Sequence, residues 1–182
     1  IANIDLTFAG DYHLSANVGA SLKDVRMDFM GWGGDLRKIP NFFSITNIST
    51  TNYKEREDGS HIQSQSIFAN VELAWKSMLY LTVTGRNDWE SALAFSKYKS
   101  FFYPSVGASL LLNRFVDMGR NIDLFKFRGS YSIVGNDVPV YKTNPRYTYG
   151  DQGAINPPKS VPFRTLKPEK THSFEVGFDG EF

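Results

Sequence analysis

The sequence predicts an all-β chain, an antiparallel meander of about seven strands with one apolar and one polar face. Three observations predict it. Apolar and polar residues alternate with a period of two along most of the chain, as in a strand whose faces meet different surroundings. Short connections alternate with long ones. Aromatic residues make up 15% of the 182 residues, with 15 Phe and 9 Tyr. That is rich for a water-soluble domain and ordinary for a barrel with aromatic girdles.

Taken in order, Ile4, Leu6 and Phe8 alternate with Asn3, Asp5 and Thr7, and Gly10 and Asp11 make a turn. Tyr12, Leu14, Ala16, Val18, Ala20 and Leu22 then share one face, against His13, Ser15, Asn17, Gly19 and Ser21. The apolar parity switches afterwards to Val25, Met27 and Phe29. A bulge near Lys23 and Asp24 accounts for a switch of this kind, and so does a turn between two strands. Residues 31–62, with Trp32 among glycines and the polar run STTNYKEREDG, read as a long connection.

The next strand sets Ile67, Ala69, Val71, Leu73 and Trp75 against Ser66, Phe68, Asn70, Glu72 and Ala74. A tight turn at Lys76 and Ser77 leads into Leu79, Leu81 and Val83, which alternate with Tyr80, Thr82, Thr84 and Arg86. A connection over 87–102 precedes the edge formed by Val106, Ala108, Leu110 and Leu112. After a modest turn at 113–121 come Phe125, Phe127, Gly129, Tyr131 and Ile133, opposite Lys126, Arg128, Ser130 and Ser132. A second long loop, 134–171, is rich in Pro and Gly, and the last strand sets Phe174, Val176 and Phe178 against Ser173, Glu175 and Gly177.

Composition excludes several function classes. A net charge of +1 with no basic block gives no surface for tracking phosphates, so nucleic acid is not an expected partner. Without cysteine there are no disulfides and no thiolate zinc site. His13, His61 and His172 are widely separated and show no metal-ligand spacing. No apolar run reaches the roughly 20 residues of a membrane-crossing helix, but strands of about 9–11 residues suffice for a transmembrane barrel. No phosphate loop or catalytic set stands out, and no cofactor is expected. Asp88 and Glu90 are adjacent carboxylates but a weak case for a hydrolase.

Four segments carry a family resemblance: LTVTGRNDWESAL at 81–93, FFYPSVGASL at 101–110, FKFRGSYSIVGND at 125–137 and LKPEKTHSFEVGFDGEF at 166–182. With PNFFSITN at 40–47, their order resembles the C-terminal part of the barrel in SusC-like, TonB-dependent outer-membrane transporters of Bacteroidetes. The resemblance implies a stretch of a 22-stranded transmembrane β-barrel with long extracellular loops, its plug domain absent here. It implies a location in the cell outer membrane and import of oligosaccharides, or sometimes peptides. It also implies a SusD-like lipoprotein at the mouth, outer-membrane lipid around the wall, and a TonB complex contacted through an N-terminal part outside this chain. No secretory signal precedes Ile1, and the chain closes on GFDGEF still in strand pattern, so 1–182 is expected to be a piece of a longer protein.

Under this reading Glu72, Arg86, Lys126, Arg128 and Glu175 face a lumen, and Lys126 and Arg128 pair with plug or wall carboxylates such as Glu72 or Glu175. Candidate ligand or partner contacts are Trp32, Asn87, Asp88, Trp89, Tyr98 and Tyr103. For Asn87, Asp88 and Trp89 the favoured reading is structural, a turn with Trp89 in the aromatic girdle. Two other functions use the same pattern. A soluble carbohydrate-binding β-sandwich buries its apolar faces between two sheets, and a cell-surface adhesin binds protein and imports nothing.

Overall fold

The computed structural model describes residues 1–51, 53–116, 123–150 and 153–181. One seven-stranded antiparallel sheet dominates, in the order β1-β2-β3-β4-β5-β6-β9. Its strands are β1 (Ala2–Phe8), β2 (Tyr12–Gly33), β3 (Lys54–Trp75), β4 (Leu79–Glu90), β5 (Ser100–Leu111), β6 (Leu124–Gly135) and β9 (Lys170–Glu181). Two-residue strands β7 (Thr148–Tyr149) and β8 (Ile155–Asn156) form a small hairpin within the last long loop. The chain is a meander, so connections at 9–11, 76–78 and 112–123 share one end of the sheet. Those at 34–53, 91–99 and 136–169 share the other.

The tight turns are built alike. Ala9 and Gly10 have φ of 50° and 71°, and Lys76 and Ser77 have 52° and 53°. Left-handed residues give a hairpin turn the twist of its flanking strands. The two turns are neighbours: Lys76 donates its N–H to the Asp11 carbonyl at 2.7 Å, and its ammonium lies 3.6 Å from the Asp11 carboxylate.

Pairing assigns each face. Ser15, Glu72, Thr82, Gly107, Ser130 and Glu175 occupy one side from β2 to β9, by direct partnership across successive strands. Leu14, Leu73, Leu81, Ala108, Gly129 and Val176 occupy the other. The apolar side carries no second layer among the described residues. Leu22, Phe174 and Phe178 are 67%, 75% and 73% exposed. Along β3 this apolar band runs from Ile67 to Trp75, about 27 Å at the usual strand rise. Its lower rim is aromatic, with Phe8 stacked on Tyr12 at 5.4 Å and Trp75 against Phe115 at 6.0 Å.

Several sequence expectations need correction. Strands β2 and β3 each run 22 residues, so the expected connection at 31–62 shrinks to 34–53. Trp32 consequently lies in a strand and not in a loop. Pairing continues without interruption from Tyr12↔Trp75 to Gly33↔Lys54, so neither a bulge nor a turn causes the parity switch near Lys23. The strand stays regular while its surroundings change. Asp24, Arg26 and Asp28 continue the face of Leu22, whereas Val25, Met27 and Phe29 continue the formerly polar face. The expected connections at 87–102 and 134–171 narrow to 91–99 and 136–169, which places Asn87, Asp88 and Trp89 within β4 instead of a turn. Most of the turn expected at 113–121 lies outside the described residues.

Candidate functional site: the polar face and its long-loop rim

The polar face is a continuous hydrophilic wall because strand alternation sends every second side chain to it. Near its middle a trough of 720 Å³ is lined by Glu72, Thr82, Ser109, Lys126, Arg128 and Glu175. Four of the five residues expected to share a lumen face, Glu72, Lys126, Arg128 and Glu175, therefore meet in one basin. Arg128 pairs with a wall carboxylate as expected, but with Asp179 of β9, at 3.9 Å, and not with the named Glu72 or Glu175. The Arg128 side chain lies across Gly177, whose missing Cβ leaves room for it.

Arg86, the fifth residue, sits higher on the same face. It donates from Nε to Asp88 and from Nη2 to Ser66, both at 2.7 Å. Its guanidinium lies 5.9 Å from the centre of the Phe68 ring. Phe68 in turn covers its direct partner Gly19, where any Cβ would collide with the ring. Glycine, aromatic ring, guanidinium and carboxylate thus form one ladder across three strands.

Above this ladder and beyond the apolar band, Glu90 has its carboxyl pushed up from the ordinary 4.5. Burial is the main cause, followed by Asp137 and Asp88, while Lys23 opposes the shift. The loops then pack on one another. Leu93, Phe101 and Val138 form a small core joined by Tyr98, Tyr103 and Leu166. Buried Thr143 donates to the Ala92 carbonyl at 2.7 Å, and Ser96 to the Leu166 carbonyl at 2.8 Å. Loops 91–99 and 136–169 therefore cap the wall as a single unit.

The same two loops cover the edge of β3 where pairing with β4 stops. The Ser91 hydroxyl accepts from the Gln63 N–H at 2.9 Å, and the Tyr141 hydroxyl from the His61 N–H at 3.2 Å. Arg146 donates to the Gly59 carbonyl at 2.6 Å and also pairs with Asp58. Unpaired strand edges invite association, and covering them is the usual protection.

Alternation splits the candidate contact residues. Asp88 is on the polar face with Arg86, while Asn87 and Trp89 are on the apolar face, paired with Ile67 and Gln65. Tyr98 packs in the loop core with the Lys167 ammonium 4.0 Å from its ring centre, and Tyr103 joins the same core. Trp32 belongs to a separate cleft with Met30, Glu55 and Tyr149.

Two features carried no sequence signal. Arg146 reaches across 87 residues to Gly59. Asn47, 5% exposed, staples the 34–53 loop: its side chain accepts from the N–H groups of Lys38 and Ile39 and donates to the carbonyls of Ile39 and Phe42. Asn is a residue type that bonds backbone readily, but bonds at these separations follow no period.

A one-layer sheet with an uncovered apolar face and a hydrophilic opposite face is the arrangement found in the wall of a membrane barrel. Comparison with known proteins gives the family. Residues 2–182 match the TonB dependent receptor-like, beta-barrel family, and the chain belongs to it. It is a family of outer-membrane transporters and not of enzymes, so the outer membrane is the location. The chain is similar to TonB-dependent receptor P26 of Formosa agariphila, with 27% identity over 139 residues, 73% of this chain and 14% of that protein. Two solved structures share the fold across 98% of this chain and 20% of theirs. They are the RagAB peptide transporter, with a TM-score of 0.78 and 16% identity, and the RagAB peptide importer in its open-open state, with 0.78 and 18%. The chain thus spans a small fraction of the length of the proteins it matches.

Proposed function

We propose that this chain is a run of about seven consecutive strands from the C-terminal part of a 22-stranded SusC-like barrel. In this reading the polar face lines the lumen and the three long connections are extracellular. The parent protein imports oligosaccharides or similar nutrients together with a SusD-like lipoprotein, drawing on the TonB complex through its N-terminal part. The observation that carries this reading is the apolar face, exposed from Ile4 on β1 to Phe178 on β9. A soluble sandwich needs a second sheet against that face, and β7–β8 has only two residues per strand. Peptide cargo is the second reading, favoured by the fold likeness to structures described as a peptide transporter.

Single cysteines test the orientation, since the chain has none of its own. They are placed in a cysteine-free full-length parent in outer membranes. Cysteines at Val71, Val83 and Val106 should react with a lipid-soluble maleimide and resist a water-soluble one. Cysteines at Thr82 and Ser109 should do the reverse. Equal access of the water-soluble reagent to both sets would refute the lumen and lipid assignment.

A further inference from the structure

The upper part of the β2–β3 hairpin presents apolar side chains on the face that is polar lower down. Met27 and Phe29 lie there, and pairing puts Arg56, Asp58 and Ser60 beside them. The loop after β6 adds Val140, Tyr141 and Arg146. Together these residues enclose a cleft of 430 Å³, within the range of about 300–1,000 Å³ typical of small-molecule sites. The docked loop does not seal it: Met27 and Phe29 remain 63% and 51% exposed.

The wall charge is unbalanced. Arg146 and Arg56 both address one carboxylate, Asp58, Arg56 at 3.6 Å. The remaining polar groups of the wall, from Ser60, Gly59 and Tyr141, add no further carboxylate. One positive charge is left beside apolar surface. Arg56 is the freer of the two guanidiniums, mostly exposed and 5.6 Å from the centre of the Phe29 ring.

We propose that this cleft binds a small apolar carboxylate, with its apolar body against Met27, Phe29 and Val140 and its carboxylate on Arg56. A guanidinium fork matches a carboxylate in both shape and charge. A neutral sugar would set hydroxyls against Met27 and Val140 and leave the charge unanswered. The C-terminal apolar residue of a peptide and a medium-chain fatty acid both offer this chemistry. The inference rests on the hairpin being extracellular, and within the proposed importer it favours the second reading, a peptide or another apolar carboxylate, over an oligosaccharide.

The test is calorimetric titration of the full-length protein in detergent with N-acetylphenylalanine, N-acetylphenylalanine amide and octanoate. The acid should bind saturably and the amide about tenfold more weakly, the size of one charge-assisted hydrogen bond. Arg56→Gln should abolish the difference between acid and amide, leaving Arg146 to hold the loop. Phe29→Ala should weaken both. Octanoate binding on a par with the acid assigns the site to apolar carboxylates generally, and its rejection assigns the site to peptide C-termini. Equal binding of acid and amide, or no saturable binding of any probe, overturns the proposal. Cysteine labelling of the same preparation reports separately whether the barrel orientation stands.

Discussion

Individual residues hold the long-loop end of the sheet together, and two make separable predictions. Glu90 has a raised carboxyl pKa because burial and the nearby carboxylates of Asp137 and Asp88 outweigh Lys23. At pH below the ordinary 4.5 it is protonated whether or not the loop unit is folded. As pH climbs above that value the unfolded form ionises first, so the folded unit loses stability until pH passes the raised value. Protease resistance of loops 91–99 and 136–169 should therefore fall over this window, and Glu90→Gln should flatten the profile. Asn47→Ala removes four hydrogen bonds and leaves their backbone partners inside the 34–53 loop. A local loss of about 2 kcal/mol or more is expected, read as faster cleavage of that loop in an otherwise intact barrel.

At the scale of strands, the two faces should respond oppositely to the same change. Val83 and Thr84 are neighbours on β4 but point to different sides. Val83→Arg should cost about 2–4 kcal/mol, the penalty for a charge at mid-depth on a lipid face. Thr84→Arg, on the polar face beside Asn70, should cost clearly less than that. Urea unfolding of the full-length protein in lipid vesicles measures both, and similar costs would contradict the lipid assignment. The hairpin turn offers a third check. Ser77 holds φ at 53°, a conformation that disfavours side chains by about 1 kcal/mol. Ser77→Gly should stabilise by a comparable amount in the same assay.

For the molecule as a whole, among the described residues the sheet has two free edges, β1 and β9, and no layer covering its apolar face. Expressed alone, residues 1–182 should require detergent or should self-associate, and sedimentation in plain buffer should show no freely soluble monomer. Much of this architecture was legible in sequence. Alternation in β1, the lower half of β2, β3 from Ser66, and β4 to β6 and β9 reports directly which side chains share a face. The first half of β3, KEREDGSHIQ, was not legible. Glu55, Glu57 and His61 on one face and Arg56, Asp58 and Ser60 on the other are all polar. A strand wet on both sides has no two-residue contrast, and only the unbroken backbone ladder to β2 makes it one. Arg86, Lys126 and Arg128 were readable as a set by parity, whereas the choice of Asp179 as partner for Arg128 was not.

The amino-acid sequence by itself determined the strand pattern, the two chemically opposite faces, the order of short and long connections and the family. Each of these is local or periodic, written in neighbouring residues. Only the tertiary structure decided how far β2 and β3 extend, which loop folds back over them, and where Tyr141, Arg146 and Asp58 meet. Those contacts join residues about 80 positions apart, and they form because a strand edge left without a neighbour must find hydrogen-bond partners wherever the chain supplies them.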